Sequence, residues 1–206
     1  MKTLLQIRSS IFSDAGQSSQ LANRFVENWR RSTPGGKVVV RDLAVDLVPH
    51  LDAQRFGAFL AKPEDRTSEQ ASLVFHSDAL IAELKAADVV VLGLPMYNFG
   101  IPSTLKAYFD HIARAGVTFK YTDKGPVGLL AEKEVYVFAT RGGAYAGTPR
   151  DTQTGYVRNF LAFLGMTRVE FVYAEGLGIS PESKDESIRR ALAHVDGLPS
   201  RAPLPV

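Results

Sequence analysis

Short β-branched runs alternate along most of the chain with segments in which apolar residues recur at helical spacing. The most apolar run, 88–94 (DVVVLGL), shows no alternation of apolar and polar positions, which is typical of a strand buried on both faces of a parallel sheet. Residues 18–31, by contrast, place Leu21, Phe25 and Trp29 on one face of a predicted helix. The pattern therefore predicts an α/β protein.

Five strands and five helices are predicted in alternation. The strands are expected at 3–8, 37–43, 88–94, 134–140 and 168–174, and the helices at 18–31, 68–86, 103–114, 153–164 and 182–195. Residues 49–67 are expected to be irregular, and 116–130 to form a short excursion. Strands separated by helices form parallel sheets with right-handed crossovers. We therefore expect a doubly wound, five-stranded parallel sheet with helices on both faces, in one domain at 1–198 with a flexible tail at 199–206.

Composition narrows the classes of function. The net charge is +2, from 24 basic and 22 acidic side chains with no basic block, which argues against a nucleic-acid partner. The absence of cysteine excludes disulfides, iron–sulfur clusters and thiol nucleophiles, and the four histidines have no metal-binding spacing. There is no signal-peptide pattern and no apolar stretch near the ~20 residues that span a bilayer. We expect a cytoplasmic protein with no membrane partner and no metal.

Five serines crowd the loop after the first predicted strand: Ser9, Ser10, Ser13, Ser18 and Ser19. Free N–H groups and the dipole at the start of the next helix favour an anion, so hydroxyls and amides could hold a phosphate monoester without a lysine. The loop could equally be an ordinary turn with Ser18 as the helix N-cap. The glycine patterns of dinucleotide and triphosphate sites do not occur, which argues against those ligands.

Two further strands are followed by residues that suit a ligand. The loop 95–102 (PMYNFGIP) carries Tyr97 and Phe99, which suit a flat, hydrogen-bonding ligand, although aromatics after a buried strand also often belong to the core. The fourth strand is followed by Gly142 and Gly143, which permit close approach of a ligand to the backbone, or form a simple turn. In a sheet of order 2-1-3-4-5, all three loops meet at the switch point between the first and third strands. We expect a ligand there.

With these loops in place, the chain resembles the FMN-dependent NADH azoreductases, a branch of the flavodoxin-like quinone reductases. The resemblance covers nearly the whole chain and is strongest at 95–99 (PMYNF), 113–119 (ARAGVTF) and 141–143 (RGG). It implies a flavodoxin-like fold, bound FMN, and NADH or NADPH as the electron donor. It also implies a quinone or azo acceptor and a homodimer with flavin sites at the subunit interface.

The resemblance also implies which residues contact the flavin. These are Ser10, Gly16, Gln17 and Ser18 at the phosphate, Met96, Tyr97, Asn98 and Phe99 along the ring, and Thr140, Arg141, Gly142 and Gly143 at its far edge. We further expect Tyr121 and Phe163 to be aromatic walls for the substrate. Arg141 could instead pair with carboxylates.

The implied enzyme needs no catalytic side chain, because the flavin carries the redox chemistry. Hydride transfer from NAD(P)H and two-electron transfer to the acceptor would occur at the same place in turn, which is a ping-pong scheme. One alternative is a flavodoxin-type electron carrier that binds FMN without substrate turnover, and another is a flavin-free interaction domain. Such carriers are usually shorter and strongly acidic, whereas this chain is nearly neutral.

Overall fold

A computed structural model of the protein describes residues 1–130 and 133–198. The helices are α1 (Gln17–Ser32), α2 (Ala53–Leu60), α3 (Ser68–Ala86), α4 (Ser103–Ile112), α5 (Thr154–Phe163) and α6 (Pro181–Gly197). The strands are β1 (Thr3–Arg8), β2 (Lys37–Asp42), β3 (Val89–Pro95), β4 (Phe119–Thr122), β5 (Gly125–Gly128), β6 (Glu134–Thr140) and β7 (Arg168–Ala174). Each predicted strand and helix is present, with ends that differ from the prediction by at most two residues.

Five strands form one parallel sheet in the order β2-β1-β3-β6-β7. This is the predicted order 2-1-3-4-5 once the separate pair β4 and β5 is set aside. Leu4 of β1 pairs with Val38 of β2 on one side and with Val89 of β3 on the other. The strand order therefore reverses between β1 and β3. The loops that follow β1, β3 and β6 leave from the same edge of the sheet, where open α/β sheets bind their ligands.

Helices cover both faces of this sheet. Phe25 of α1 packs with Leu4 in one hydrophobic cluster, and Leu80 of α3 packs with Leu5 in the other. Neighbouring residues of a strand point to opposite faces, so β1 contributes to both clusters. Every residue of β3 is buried, as its unbroken apolar run predicts for a central strand.

The expectation that 49–67 is irregular is wrong in part, because the segment contains α2 and a 3₁₀ turn at Pro63–Asp65. The helix starts after Asp52, whose carboxylate accepts a hydrogen bond from the Arg55 N–H at 2.8 Å. This is an N-cap. With eight residues and Gly57 in its interior, α2 has too short a periodic pattern to stand out in the sequence.

The excursion predicted at 116–130 contains the antiparallel hairpin of β4 and β5. Leu130 donates its N–H to the Leu164 carbonyl at 2.9 Å, just beyond the end of α5. A Cβ at Gly128 would lie 2.0 Å from the backbone nitrogen of Gly165, so glycine is required where the hairpin meets that chain segment. The hairpin therefore lies near the edge at which β6 and β7 begin, opposite the ligand-suited loops.

The predicted tail at 199–206 lies outside the described residues. Within 1–130 and 133–198, no helix has both the length and the apolar character to cross a bilayer. The same residues bring together no group of three or more metal-ligating side chains.

Candidate functional site

The loop after β1 leads into a helix whose first turn has no cap. The N-cap of α1 is Gly16, which has no side chain to bond the first turn. Among the described residues, the N–H groups of Gln17, Ser18 and Ser19 find no acceptor. The hydroxyls of Ser18 and Ser19 are also buried, and they have no partner in the part of the chain that the structure describes. The alternative that Ser18 caps the helix is therefore wrong, and the free donors favour an anion.

Glycine is required at position 16 because the chain approaches itself closely there. A Cβ at Gly16 would lie 2.2 Å from the Ser10 Oγ and 2.5 Å from the Ser10 Cβ. The Ser10 hydroxyl accepts a hydrogen bond from the Phe12 N–H at 3.2 Å. The start of α1 and Ser10 therefore lie side by side, as one phosphate-binding loop would need.

Residues 97–100 form a tight two-residue turn directly after β3. Tyr97 and Gly100 exchange both backbone hydrogen bonds, with N···O distances of 3.1 and 2.9 Å. The residues between them have positive φ, +50° at Asn98 and +62° at Phe99, which is type I′ geometry. Asparagine tolerates this conformation, but it costs a bulky residue such as Phe99 about 1–2 kcal/mol. The N–H groups of Asn98 and Phe99 have no acceptor in the described part of the chain, so the turn presents two free donors.

The three loops are bonded to one another. The Tyr97 hydroxyl lies 3.3 Å from the Ser10 Oγ and accepts a hydrogen bond from the Ile11 N–H at 3.2 Å. Met96 donates its N–H to the Thr140 carbonyl at 2.9 Å. The convergence predicted from the strand order is therefore present as direct contacts.

The side chain of Arg141 is fully buried between two carboxylates. Its guanidinium donates to Asp151 at 2.8 Å and to Glu175 at 3.0 Å. The same Glu175 oxygen accepts from the N–H groups of Tyr145 and Ala146 at 2.8 and 2.9 Å. The two terminal nitrogens of the guanidinium therefore hold the loop after β6, and the expected alternative that Arg141 pairs with carboxylates is confirmed. Within the described residues the third guanidinium nitrogen, Nε, is buried without a partner, so this N–H remains available to a ligand in the cavity that Arg141 lines.

Asp151 is the partner that fixes the start of α5. Burial would raise the pKa of the Asp151 carboxyl, but hydrogen bonds from Arg141 and Thr154 outweigh this effect and hold the pKa below its ordinary value. The carboxylate accepts from the Thr154 N–H at 3.0 Å and from its hydroxyl at 2.7 Å. It is therefore charged at neutral pH and connects α5 to the loop after β6.

A cavity of about 190 Å³ opens among these loops. Eight of the predicted cofactor-binding residues line it: Ser10, Gly16, Gln17, Met96, Tyr97, Thr140, Arg141 and Gly142. Four lie in the same loops but do not line it: Ser18, Asn98, Phe99 and Gly143. Three lining residues were missed: Phe12, Pro95 and Leu177. Leu177 follows β7, and the adjacency of β7 and β6 in the predicted strand order is the signal that could have identified it.

The two predicted substrate walls lie away from this cavity in the single chain. Tyr121 is on β4 and Phe163 ends α5, and both rings contact Phe119, with centroid distances of 5.4 and 4.3 Å. The first residue of α5, Thr154, bonds Asp151 beside the cavity. The ten residues of α5 rise about 15 Å, which carries Phe163 to the opposite edge of the sheet. Within one chain, the structure does not bring Tyr121 and Phe163 to the cavity.

Comparison with known proteins identifies relatives that match nearly the whole chain. A family model described as the flavodoxin-like fold matches residues 1–198. The FMN-dependent NADH:quinone oxidoreductase of Cellvibrio japonicus is 58% identical over 196 residues, covering 95% of this chain and 98% of the relative. The FMN-dependent NADH:quinone oxidoreductase 6 of Burkholderia lata is 56% identical over 191 residues, covering 93% and 96%.

Solved structures with the same fold include two from Bacillus anthracis. An azoreductase from strain Sterne has a TM-score of 0.89 with 30% identity, covering 97% of this chain and 99% of that chain. An FMN-dependent NADH-azoreductase from strain Ames Ancestor, in complex with FMN, has a TM-score of 0.88 with 27% identity, covering 98% and 100%. With a family model that matches nearly its whole length and relatives more than half identical to it, the chain belongs to the flavodoxin-like family that includes the FMN-dependent NADH:quinone oxidoreductases.

Proposed function

We propose that the chain is an FMN-dependent oxidoreductase that transfers two electrons from NADH to a quinone or azo acceptor. The observation that carries this proposal is the first turn of α1, where three N–H groups and the buried hydroxyls of Ser18 and Ser19 have no partner within 1–130 and 133–198. Unpaired buried polar groups cost free energy in the protein alone, and a phosphate monoester would satisfy them. The names of the relatives, which specify FMN and NADH, support the same choice.

The phosphate end of FMN would be held without any cationic side chain. The amides of Gln17 and Ser18 lie at the positive end of the α1 dipole, which favours an anion. The Ser10 hydroxyl lies beside that turn, at the distance set by Gly16. We infer that hydroxyls and amides alone bind the phosphate, as the serine-rich sequence predicts.

The ring of FMN would lie between the turn at 97–100 and the glycines after β6. When bound, FMN supplies the redox chemistry, accepting a hydride and giving up two electrons. The free N–H groups of Asn98 and Phe99 would stabilise negative charge at the edge of the ring, because fixed donors need no reorganisation when charge develops. Solvent can supply the protons, so no side chain is proposed as an acid or base.

We infer that donor and acceptor use the same opening in turn, beside the turn at 97–100, where Phe99 is half exposed. Such alternation gives ping-pong kinetics, with parallel lines in double-reciprocal plots. The carrier alternative has less support than the enzyme, since the relatives are named as oxidoreductases and the chain is nearly neutral. Turnover of NADH with a quinone in the absence of a protein partner separates the two functions.

We also propose that the working unit is a homodimer, in which a second copy brings Tyr121 and Phe163 to the substrate. Support comes from the exposed apolar side chains of the hairpin, among them Tyr121, which is 74% exposed, and Val127. Phe99 at the candidate site is half exposed as well. A second copy could cover both surfaces and complete a site that a single chain leaves open.

The first test combines cofactor binding with a variant at Gly142. The protein is expected to bind FMN with the yellow absorption of a flavin and to oxidise NADH with a quinone. A Cβ at Gly142 meets no atom within 4 Å, so Gly142→Ala should leave the unfolding of the FMN-free protein unchanged. If the ring lies there, the Kd for FMN should rise about tenfold, or about 1.4 kcal/mol.

Gly57→Ala is the control, since a Cβ at Gly57 in α2 also meets no atom within 4 Å. It should leave the Kd for FMN unchanged. A colourless protein that cannot be reconstituted with FMN would refute the proposed function. An unchanged Kd in Gly142→Ala would instead show that Gly142 does not contact the flavin, and it would leave the proposed function standing.

The dimer proposal predicts a particular effect of Phe163→Ala and Tyr121→Ala. Light scattering should give twice the chain mass of 22.5 kDa. Both variants should lower kcat/KM for the acceptor by about tenfold and leave FMN content unchanged, since neither side chain reaches the cavity of its own chain. Phe75→Ala, at an exposed position on α3, is the control. A monomer with full activity would contradict the proposal.

A further inference from the structure

Gln153 is a fully buried side chain that joins α5 to the turn at 97–100. Its side-chain amide nitrogen donates to the Pro95 carbonyl at 3.0 Å and to the Gly100 carbonyl at 2.9 Å. A primary amide carries two N–H donors on one nitrogen, which lets it bond two carbonyls at once. Pro95 ends β3 and Gly100 closes the turn. Gln153 therefore holds the turn from both of its ends.

The neighbours of Gln153 extend this connection. The Thr152 hydroxyl donates to the Phe99 carbonyl, inside the turn itself. Asp151 accepts from the Gln153 N–H at 3.3 Å and pairs with Arg141 at 2.8 Å. The segment 151–153 therefore bonds the turn after β3 and the loop after β6, the two loops between which the flavin ring would lie.

The turn needs such support because its conformation is strained. Phe99 has a φ of +62°, where glycine is favoured, and only half of its surface is covered by the protein. Strained residues persist where the surrounding structure determines their conformation. The Gln153 amide bonds the Pro95 carbonyl before Asn98 and the Gly100 carbonyl after Phe99. These two bonds help to hold the turn in its strained conformation.

We propose that Gln153 is a positioning residue that aims the free N–H groups of Asn98 and Phe99 at the flavin ring, and thereby sets its affinity and reduction potential. The inference rests on the proposed function. The reduced ring carries more negative charge than the oxidised ring, so these donors bind the reduced form more tightly. Loss of their alignment weakens binding of reduced FMN more than that of oxidised FMN, which lowers the potential.

The test replaces Gln153 with methionine, which has a similar length and no donor. The expected result is a tenfold loss of preference for reduced over oxidised FMN, which lowers the two-electron midpoint potential by about 30 mV. In the FMN-free protein, exchange of the Gly100 amide should become faster, because its bond to the Tyr97 carbonyl closes a turn that is no longer held. Gln153→Leu, which also removes both donors, should show the same two changes.

Gln54→Met is the matched control. Gln54 is exposed on α2 and makes one hydrogen bond, to Glu69 at 2.7 Å. In Gln54→Met, the midpoint potential of bound FMN and the exchange rate of the Gly100 amide should equal those of the unchanged protein. If Gln153→Met does not fold, Thr152→Val, which removes only the bond to Phe99, should lower the potential in the same direction by a smaller amount.

The outcomes separate this proposal from the function on which it rests. If the unchanged protein does not bind FMN, the proposed function fails. If the unchanged protein binds FMN and the Gln153 variants keep its potential and its Gly100 exchange, the positioning role is overturned. An equal shift in Gln54→Met would likewise overturn it, because the effect would then have no connection with the turn.

Discussion

FMN binding is expected to be largely lost when Gly16 is replaced by alanine. The added methyl would lie 2.2 Å from the Ser10 Oγ and 2.5 Å from the Ser10 Cβ, so either Ser10 or the start of α1 must move. Both carry groups that we propose to bind the phosphate. We expect the Kd for FMN to rise about 100-fold, which corresponds to about 2.8 kcal/mol. Quenching of flavin fluorescence on binding measures this change.

Two further variants test whether the weaker FMN binding comes from the contact with Ser10 or from a general loss of stability. Gly57→Ala adds a methyl in open space on α2, so it should leave the Kd unchanged and stabilise the helix by about 1 kcal/mol. Ser10→Gly removes both crowded atoms together with one proposed phosphate ligand, so adding Gly16→Ala to Ser10→Gly should weaken FMN binding much less than Gly16→Ala does alone. Full affinity in Gly16→Ala would show that this close approach does not determine phosphate binding.

Most of the fold could be predicted because its signals come from burial in the final structure. The central strand β3 is buried on both faces and is apolar throughout, and α1 buries one face and has one apolar stripe. The elements that were not predicted have only weak patterns of apolar residues in the sequence. The helix α2 has eight residues with Gly57 inside, and the hairpin of β4 and β5 exposes Tyr121 and Val127.

The candidate site divides in the same way. Its loops could be placed from the sequence because a parallel sheet fixes where its strand ends lie. The bonds of Gln153 to the turn could not be predicted from the sequence. They depend on how α5 packs against the end of β3, and no local sequence pattern encodes that packing. The backbone conformation of Asn98 could not be predicted from the sequence either. Its φ of +50° rules out Asn98→Pro as a way to delete one donor, because proline requires φ near −65° and would break the turn.

Removal of the buried guanidinium is expected to give the largest loss of stability. Arg141→Met would leave the carboxylates of Asp151 and Glu175 without their cation, at side-chain exposures of only 9% and 17%. Breaking a buried ion pair from one side typically costs about 3–5 kcal/mol, because an uncompensated charge remains in the protein. Urea unfolding of the FMN-free protein at pH 7 measures the loss without the stabilisation that a ligand adds.

The loss in Arg141→Met should also depend on pH. In the unchanged protein, burial opposes the charged form of Asp151, but the hydrogen bond from Arg141 helps to keep its pKa below the ordinary value of about 4. The stabilisation from Asp151 is therefore complete above about pH 4 and is lost as the pH falls through the lower folded pKa. In the variant the pKa of Asp151 should rise, so acid neutralises the unpaired charge. The difference in the free energy of unfolding between the two proteins therefore becomes smaller from pH 7 towards pH 4.

Arg189→Met, at a side chain 72% exposed beside Glu186, is the control and should cost less than about 0.5 kcal/mol. A difference between Arg141→Met and the unchanged protein that stays constant over this range would mean that Arg141 does not act by neutralising Asp151.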